Sequence, residues 1–86
     1  MFMGNKELAR EQIFEIINNQ MNANDPPETN LTYKRLKDLG YSDFETNQLI
    51  GQCMVAELFE VLKNHRKFDE AKYISNLKNL PKEPFH

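Results

Sequence analysis

The chain has 86 residues, a formal net charge of −2 and a single cysteine, Cys53. One domain accounts for this length, and the small net charge offers no general attraction to nucleic acid or to an anionic membrane. A single cysteine excludes an internal disulfide bond and a zinc site built from several cysteines. The N-terminal sequence lacks the apolar run of a signal peptide, and no window holds the ~20 apolar residues of a membrane span. We therefore expect a cytoplasmic protein that binds neither nucleic acid nor a membrane.

The first helix is predicted over residues 5–21, with Asn5 as its N-cap. Apolar residues recur at helical spacing along one side, and three glutamates spaced four residues apart mark the opposite side as a solvated face. The residues expected to face the core are Ala9, Ile13, Ile16, Ile17 and Met21.

The second helix is predicted over residues 26–39, after the sequence N-A-N-D-P-P. Proline fits the first turn of a helix, so Asp25 is the expected N-cap. Gly40 stands where a left-handed C-terminal cap is expected. The residues expected to face inward are Thr32, Tyr33, Leu36 and Leu39.

The third helix is predicted over residues 42–66 and is the longest. Ser42 and Glu45 form a capping box at its start, and a basic turn at its end, Lys63–Lys67, complements the helix dipole. Gly51 inside this helix predicts the close approach of another helix. Its apolar residues cover more than half of the circumference, so it needs cover on several sides: Leu49, Ile50, Cys53, Met54, Val55, Ala56, Leu58, Phe59, Val61 and Leu62.

The fourth helix is predicted over residues 69–80, with Asp69 as its cap and Pro81 as its stop. Its core residues are expected to be Tyr73, Ile74, Leu77 and Leu80. The sequence therefore predicts an all-α, four-helix bundle-like domain over residues 1–80, with two long and two short helices and a loose tail at 81–86. We expect the two long helices to pair antiparallel. Because the other helices are not expected to cover helix three completely, we also expect a homodimer through helix three.

Glu57 is the strongest candidate for a functional side chain. It lies at the edge of the apolar arc, and a desolvated carboxylate there would have a raised pKa suited to acid–base work. Two other interpretations stay open: the carboxylate lies in water at the rim, or it pairs with a lysine or arginine of another helix. Its neighbours on the helical wheel are Ile50, Cys53, Met54 and Val61.

No catalytic, metal-binding or cofactor-binding residue is assigned from the sequence. The histidines, His65 and His86, do not stand in the Glu-x-x-His spacing of metal sites in helical bundles. Cys53 and His65 lie ~18 Å apart along one helix axis, too far for a thiol–imidazole pair. Cys53 is therefore expected in the core and His65 at the C-terminal dipole. With no phosphate loop or nucleophile motif, we predict no cofactor and no enzyme.

Helix two, the Gly40 turn and helix three have the outline of a helix-turn-helix. Lys34, Arg35 and Lys37 make a basic patch on helix two, but Asp43 and Glu45 at the start of helix three would repel phosphates. Nucleic-acid binding is therefore the least favoured alternative.

Two resemblances concern the same part of the chain. Leu39-Gly40-Tyr41-Ser42 resembles the loop of ubiquitin-associated domains, although helix three is longer than the second helix of that family. The pattern D-P-P-E-T, L-G-Y-S, L-I-G, F-D-E and L-P between Asp25 and Pro81 resembles a small bacterial family of uncharacterised helical domains. This resemblance implies an all-helical bacterial protein and supplies no active-site residues.

The function expected from the sequence is a small interaction or scaffolding module that acts as a homodimer through helix three. An unidentified protein partner is compatible with the same surface. The alternative is a small-ligand or acid–base site around Glu57.

Overall fold

The structure, a computed structural model, describes residues 10–82 and contains four α-helices in that range. They are α1 (Arg10–Ala23), α2 (Pro27–Asp38), α3 (Asp43–Asn64) and α4 (Glu70–Asn79). No strand occurs among these residues, and the helices pack into a bundle, so the predicted all-α fold is confirmed. The predicted Asn5 cap, the position of Ala9 and most of the 81–86 tail lie outside the described residues. Within residues 10–82, none of the helices combines the length and the apolar character of a membrane span.

Helix caps place the boundaries of α3 and α4 close to the predicted positions. The Ser42 hydroxyl accepts a hydrogen bond from the Glu45 N–H at 3.1 Å, and the Ser42 N–H donates to Glu45 Oε1 at 2.9 Å. This reciprocal pair is the predicted capping box. At α4, the Asp69 carboxylate accepts from the Lys72 N–H at 3.1 Å, so the predicted cap is confirmed there too.

The end of α2 also follows the sequence prediction. Gly40 has a φ of +106°, a conformation that residues with a Cβ rarely adopt. Its N–H donates to the Lys37 carbonyl at 2.9 Å, and the Tyr41 N–H donates to the Leu36 carbonyl at 3.2 Å. These two bonds form a Schellman motif, which ends the helix and turns the chain toward α3.

The start of α2 differs from the prediction by one residue. Pro26, in an extended conformation, holds the N-cap position, and no side chain caps the helix there. The reason is that a residue preceding proline is disfavoured in the helical region. Since Pro27 is the first helical residue, Pro26 stays extended and takes the position that we assigned to Asp25.

The core forms around α3, which packs against each of the other three helices. At Gly51 a built Cβ would lie 3.2 Å from Ile13 Cγ2 of α1, so the predicted close approach is confirmed. The buried face of α2 includes Thr29, whereas Leu39 is 60% exposed because it lies beyond the end of the helix. The buried apolar cluster comprises Ile13, Ile17, Leu36, Ile50, Cys53, Met54, Tyr73, Leu77 and Leu80.

The antiparallel pairing expected for the two long helices is wrong. The Arg10 guanidinium lies 5.5 Å from the centroid of the Phe44 ring, and the Phe14 ring meets the same ring edge-on with centroids 6.0 Å apart. The start of α1 therefore lies beside the start of α3, whereas antiparallel pairing would place it beside the end.

Candidate functional site

One side of α3 is only partly covered by the other helices. Successive residues of an α-helix are rotated by about 100°, so six residues of α3 fall within one sector of about 80°. The opposite side carries the buried residues Thr46, Ile50, Cys53 and Glu57. We call this sector the α3 face; it consists of Phe44, Gln48, Gln52, Val55, Phe59 and Leu62.

Large apolar side chains project from the C-terminal half of the α3 face. Phe59 is 53% exposed and Leu62 is 73% exposed, while Val55 near the middle is 39% exposed. The Lys63 ammonium lies 5.5 Å from the centroid of the Phe59 ring, which places a positive charge beside the aromatic surface. This half of the face therefore offers projecting apolar groups next to a cation.

The N-terminal half of the α3 face is concave. A groove of about 290 Å³ runs between α1 and α3, and Gly51 forms part of its floor. We call it the α1 groove; it is lined by Arg10, Ile13 and Phe14 of α1 and by Gln48, Gly51, Gln52 and Val55 of α3. A second groove of about 160 Å³ lies beside it, lined by Tyr41, Glu45, Gln48, Leu49 and Gln52. Gln48 and Gln52 line both grooves and therefore lie between them.

The two ends of α3 carry opposite charges. Asp43 accepts a hydrogen bond from the Tyr33 hydroxyl at 2.8 Å and pairs with the Lys37 ammonium at 2.9 Å. The hydrogen bond from Lys37 holds the pKa of Asp43 below its ordinary value, so the carboxylate stays ionised at neutral pH. Glu45 adds a second acidic group at this end, where Arg10 of α1 also lies against Phe44. The other end carries Lys63, Lys67 and Arg66, of which Arg66 pairs with Glu60 at 3.7 Å.

Glu57 lies on the core side of α3, away from both grooves. Its side chain is 2% exposed, and Oε2 is buried with no hydrogen-bond partner. The nearest cation is the Lys72 ammonium of α4, 4.0 Å from Oε2. Of the interpretations left open by the sequence, the carboxylate in water is wrong, whereas the desolvated carboxylate and the pairing with a lysine of another helix both describe this geometry.

The pKa of Glu57 is raised above its ordinary value, mainly because burial disfavours the charged form. The positive charges of Lys72 and Arg66 oppose this rise in the pKa. The negative charges of Asp69 and Glu60 add to it. The carboxyl group is therefore easier to protonate than an exposed glutamate.

The other groups singled out in the sequence do not form a site. Cys53 is fully buried, and burial raises the pKa of its thiol to about 12. His65 is exposed and ends α3 in a left-handed conformation with a φ of 54°, far from the core position of Cys53. Among residues 10–82, no three histidine, cysteine, aspartate or glutamate side chains are grouped as metal ligands.

The basic patch on α2 is partly engaged within the fold. Arg35 donates hydrogen bonds to the carbonyls of Leu80 at 2.8 Å and Leu77 at 2.9 Å, and Lys37 pairs with Asp43. These contacts leave less positive charge available to a phosphate backbone than the sequence implied.

Sequence reasoning missed the division of the α3 face into a concave and a projecting half. The spacing of Phe44, Val55, Phe59 and Leu62 contains the signal, since these residues share one side of a helix. That signal was hidden within the wider apolar arc of helix three. The grooves themselves depend on where α1 crosses α3, which the spacing does not determine.

No protein-family model, curated protein or solved structure matches this chain.

Proposed function

We propose that this protein is a small interaction module that assembles as a homodimer through the α3 face. The observation that carries the proposal is the exposure of Phe59 and Leu62, at 53% and 73%, on the helix that otherwise forms the centre of the core. Burial of apolar surface is worth about 25 cal/mol per Å², and clustered apolar side chains on a monomer commonly mark an interaction site. The function rests on binding, with no catalytic role for the face.

The test is a sedimentation-equilibrium series on the wild type, Leu62→Asn and Leu31→Asn. Leu31 is the matched control because it is 66% exposed but lies on α2, away from the α3 face. Wild type and Leu31→Asn are expected to dimerise between about 1 μM and 1 mM, whereas Leu62→Asn should weaken association at least about tenfold.

A strictly monomeric wild type across that range would overturn the homodimer and favour a different protein as the occupant of the face. Equal losses of dimerisation affinity in Leu62→Asn and Leu31→Asn would show that association does not use the α3 face.

The alternative function is a small-ligand or acid–base site around Glu57, supported by its buried Oε2 atom, which has no hydrogen-bond partner. Glu57 lines neither of the two grooves, which argues for a structural role. Carbon-13 NMR of the Glu57 carboxyl tests this alternative: a small molecule that shifts its titration would support a ligand site, and an unchanged titration across a ligand library would not.

Nucleic-acid binding receives little support. The ionised Asp43 and the neighbouring Glu45 occupy the start of α3, where a recognition helix would approach phosphates. The expected cytoplasmic location stays a prediction from the sequence.

A further inference from the structure

We infer that α3 pairs antiparallel with α3 of a second copy, about a twofold axis between Gln52 and Val55. The inference rests on the proposed homodimer and adds its geometry. In this arrangement Phe59 of each copy lies beside Gln48 of the other. The projecting half of one copy therefore meets the concave half of its partner.

The first argument is the complementary shape of the two halves of the α3 face. The concave half has the α1 groove, of about 290 Å³, and the second groove beside Gln48. The other half has Phe59 and Leu62, which project into solvent. A cavity of about 150 Å³ holds a benzene ring, so the two grooves, of about 290 and 160 Å³, have room for side chains of the size of Leu62 and Phe59.

In an antiparallel pair the contact between a projecting half and a concave half occurs twice, once for each copy. A twofold axis makes each contact occur in two copies, and an axis between Gln52 and Val55 places Gln48 opposite the partner's Phe59. The same axis brings Phe44 near the partner's Leu62. A parallel pair would place the two concave halves together and the two projecting halves together.

The second argument is charge. Glu45 and Lys63 are separated by five full helical turns, so they lie on the same edge of the α3 face. In an antiparallel twofold pair each edge of the face lies beside the same edge of the partner. Glu45 therefore lies near the partner's Lys63. A parallel pair would instead place the acidic ends together, the basic ends together and the helix dipoles side by side.

Cysteine cross-linking with a short bis-maleimide tests the orientation. Wild type supplies the background, because its Cys53 is fully buried. With antiparallel pairing, two copies of position 52 lie ~5 Å apart along the helix axis, and two copies of position 63 lie ~28 Å apart. Gln52→Cys is therefore expected to cross-link with itself and Lys63→Cys is not, whereas a mixture of Glu45→Cys and Lys63→Cys should cross-link.

Sedimentation equilibrium on each variant separates failure of the orientation from failure of the homodimer. Self-cross-linking of a dimeric Lys63→Cys would overturn the antiparallel arrangement but would not contradict the homodimer. A dimeric Gln52→Cys that does not cross-link would do the same. A monomeric wild type would overturn both. Circular dichroism on Glu45→Cys checks that loss of its capping bond leaves α3 folded.

Discussion

At the scale of single residues, burial has changed the chemistry of Glu57 most. Its pKa is raised in the folded protein, so the folded state binds a proton more readily than the unfolded state does. Well below the ordinary value of 4.5 the group is protonated in both states and carries little penalty. The penalty appears as pH rises through the raised folded pKa, because a charge must then stay buried.

Glu57→Gln is therefore expected to unfold with a higher free energy than wild type at neutral pH, by an amount that shrinks as pH falls to 4.5. Glutamine keeps the shape of the side chain but carries no charge. Urea denaturation across this pH range measures the difference, with the exposed Glu15→Gln as control. If the wild type instead had the higher free energy of unfolding, by a margin that grows with pH, the Lys72 contact would outweigh the cost of burying the carboxylate.

Gly51 illustrates a packing constraint at one position. Glycine costs about 1 kcal/mol relative to alanine inside a helix, but a Cβ here would lie 3.2 Å from Ile13 Cγ2 and 3.8 Å from Ile17 Cδ1. Gly51→Val is expected to lower the free energy of unfolding by about 1–3 kcal/mol through overpacking. Gly51→Ala should stay within about 1 kcal/mol of wild type, since the propensity gain offsets the close contact. Chemical denaturation of both variants checks this, and a stabilised valine variant would contradict it.

At the scale of elements, Arg35 joins α2 to the end of α4. Its two terminal nitrogens donate to the carbonyls of Leu80 and Leu77 at the end of that helix. The Leu77 carbonyl also accepts from the Leu80 N–H at 3.2 Å. The planar guanidinium suits two carbonyls at once, whereas a lysine ammonium offers no such fork.

Arg35→Gln is expected to lower the free energy of unfolding by about 1–3 kcal/mol, because two charge-assisted hydrogen bonds are lost from a partly buried site. Arg35→Lys should recover less than half of this loss. Urea denaturation measures both variants against the exposed Lys34→Gln. Equal stability of Arg35→Gln and Lys34→Gln would show that Arg35 does not stabilise the α2–α4 contact.

The elements themselves were largely predictable because their signals are local. A capping box needs only Ser42 and Glu45 at the right spacing, and the Schellman turn needs only a residue that tolerates positive φ, here Gly40. The start of α2 was misplaced since Pro27 acts on the residue before it, a constraint that competed with the capping preference of Asp25.

At the scale of the whole molecule, prediction reached its limit at the arrangement of helices. The width of the apolar arc on helix three indicated that some surface would stay uncovered. Which sector this is depends on where α1 crosses, and the contact of Ile13 with Gly51 places that crossing in the N-terminal half of α3. The burial of Glu57 has the same origin, since its cover by α4 comes from distant residues such as Lys72.

Self-association through the α3 face should also appear in the thermal stability of the whole protein. A partner that binds only the folded state stabilises it by mass action, and in a homodimer that partner is the protein itself. We expect the unfolding midpoint of the wild type to rise by about 2–5 °C for each tenfold increase in concentration. Leu62→Asn should show a smaller rise of the midpoint over the same concentrations, while the control Leu31→Asn should follow the wild type. Differential scanning calorimetry measures all three proteins.

Aggregation of unfolded chains would lower the midpoint at high concentration, so the sign of the shift separates it from dimerisation. A wild-type midpoint independent of concentration would contradict a dimer whose dissociation is coupled to unfolding.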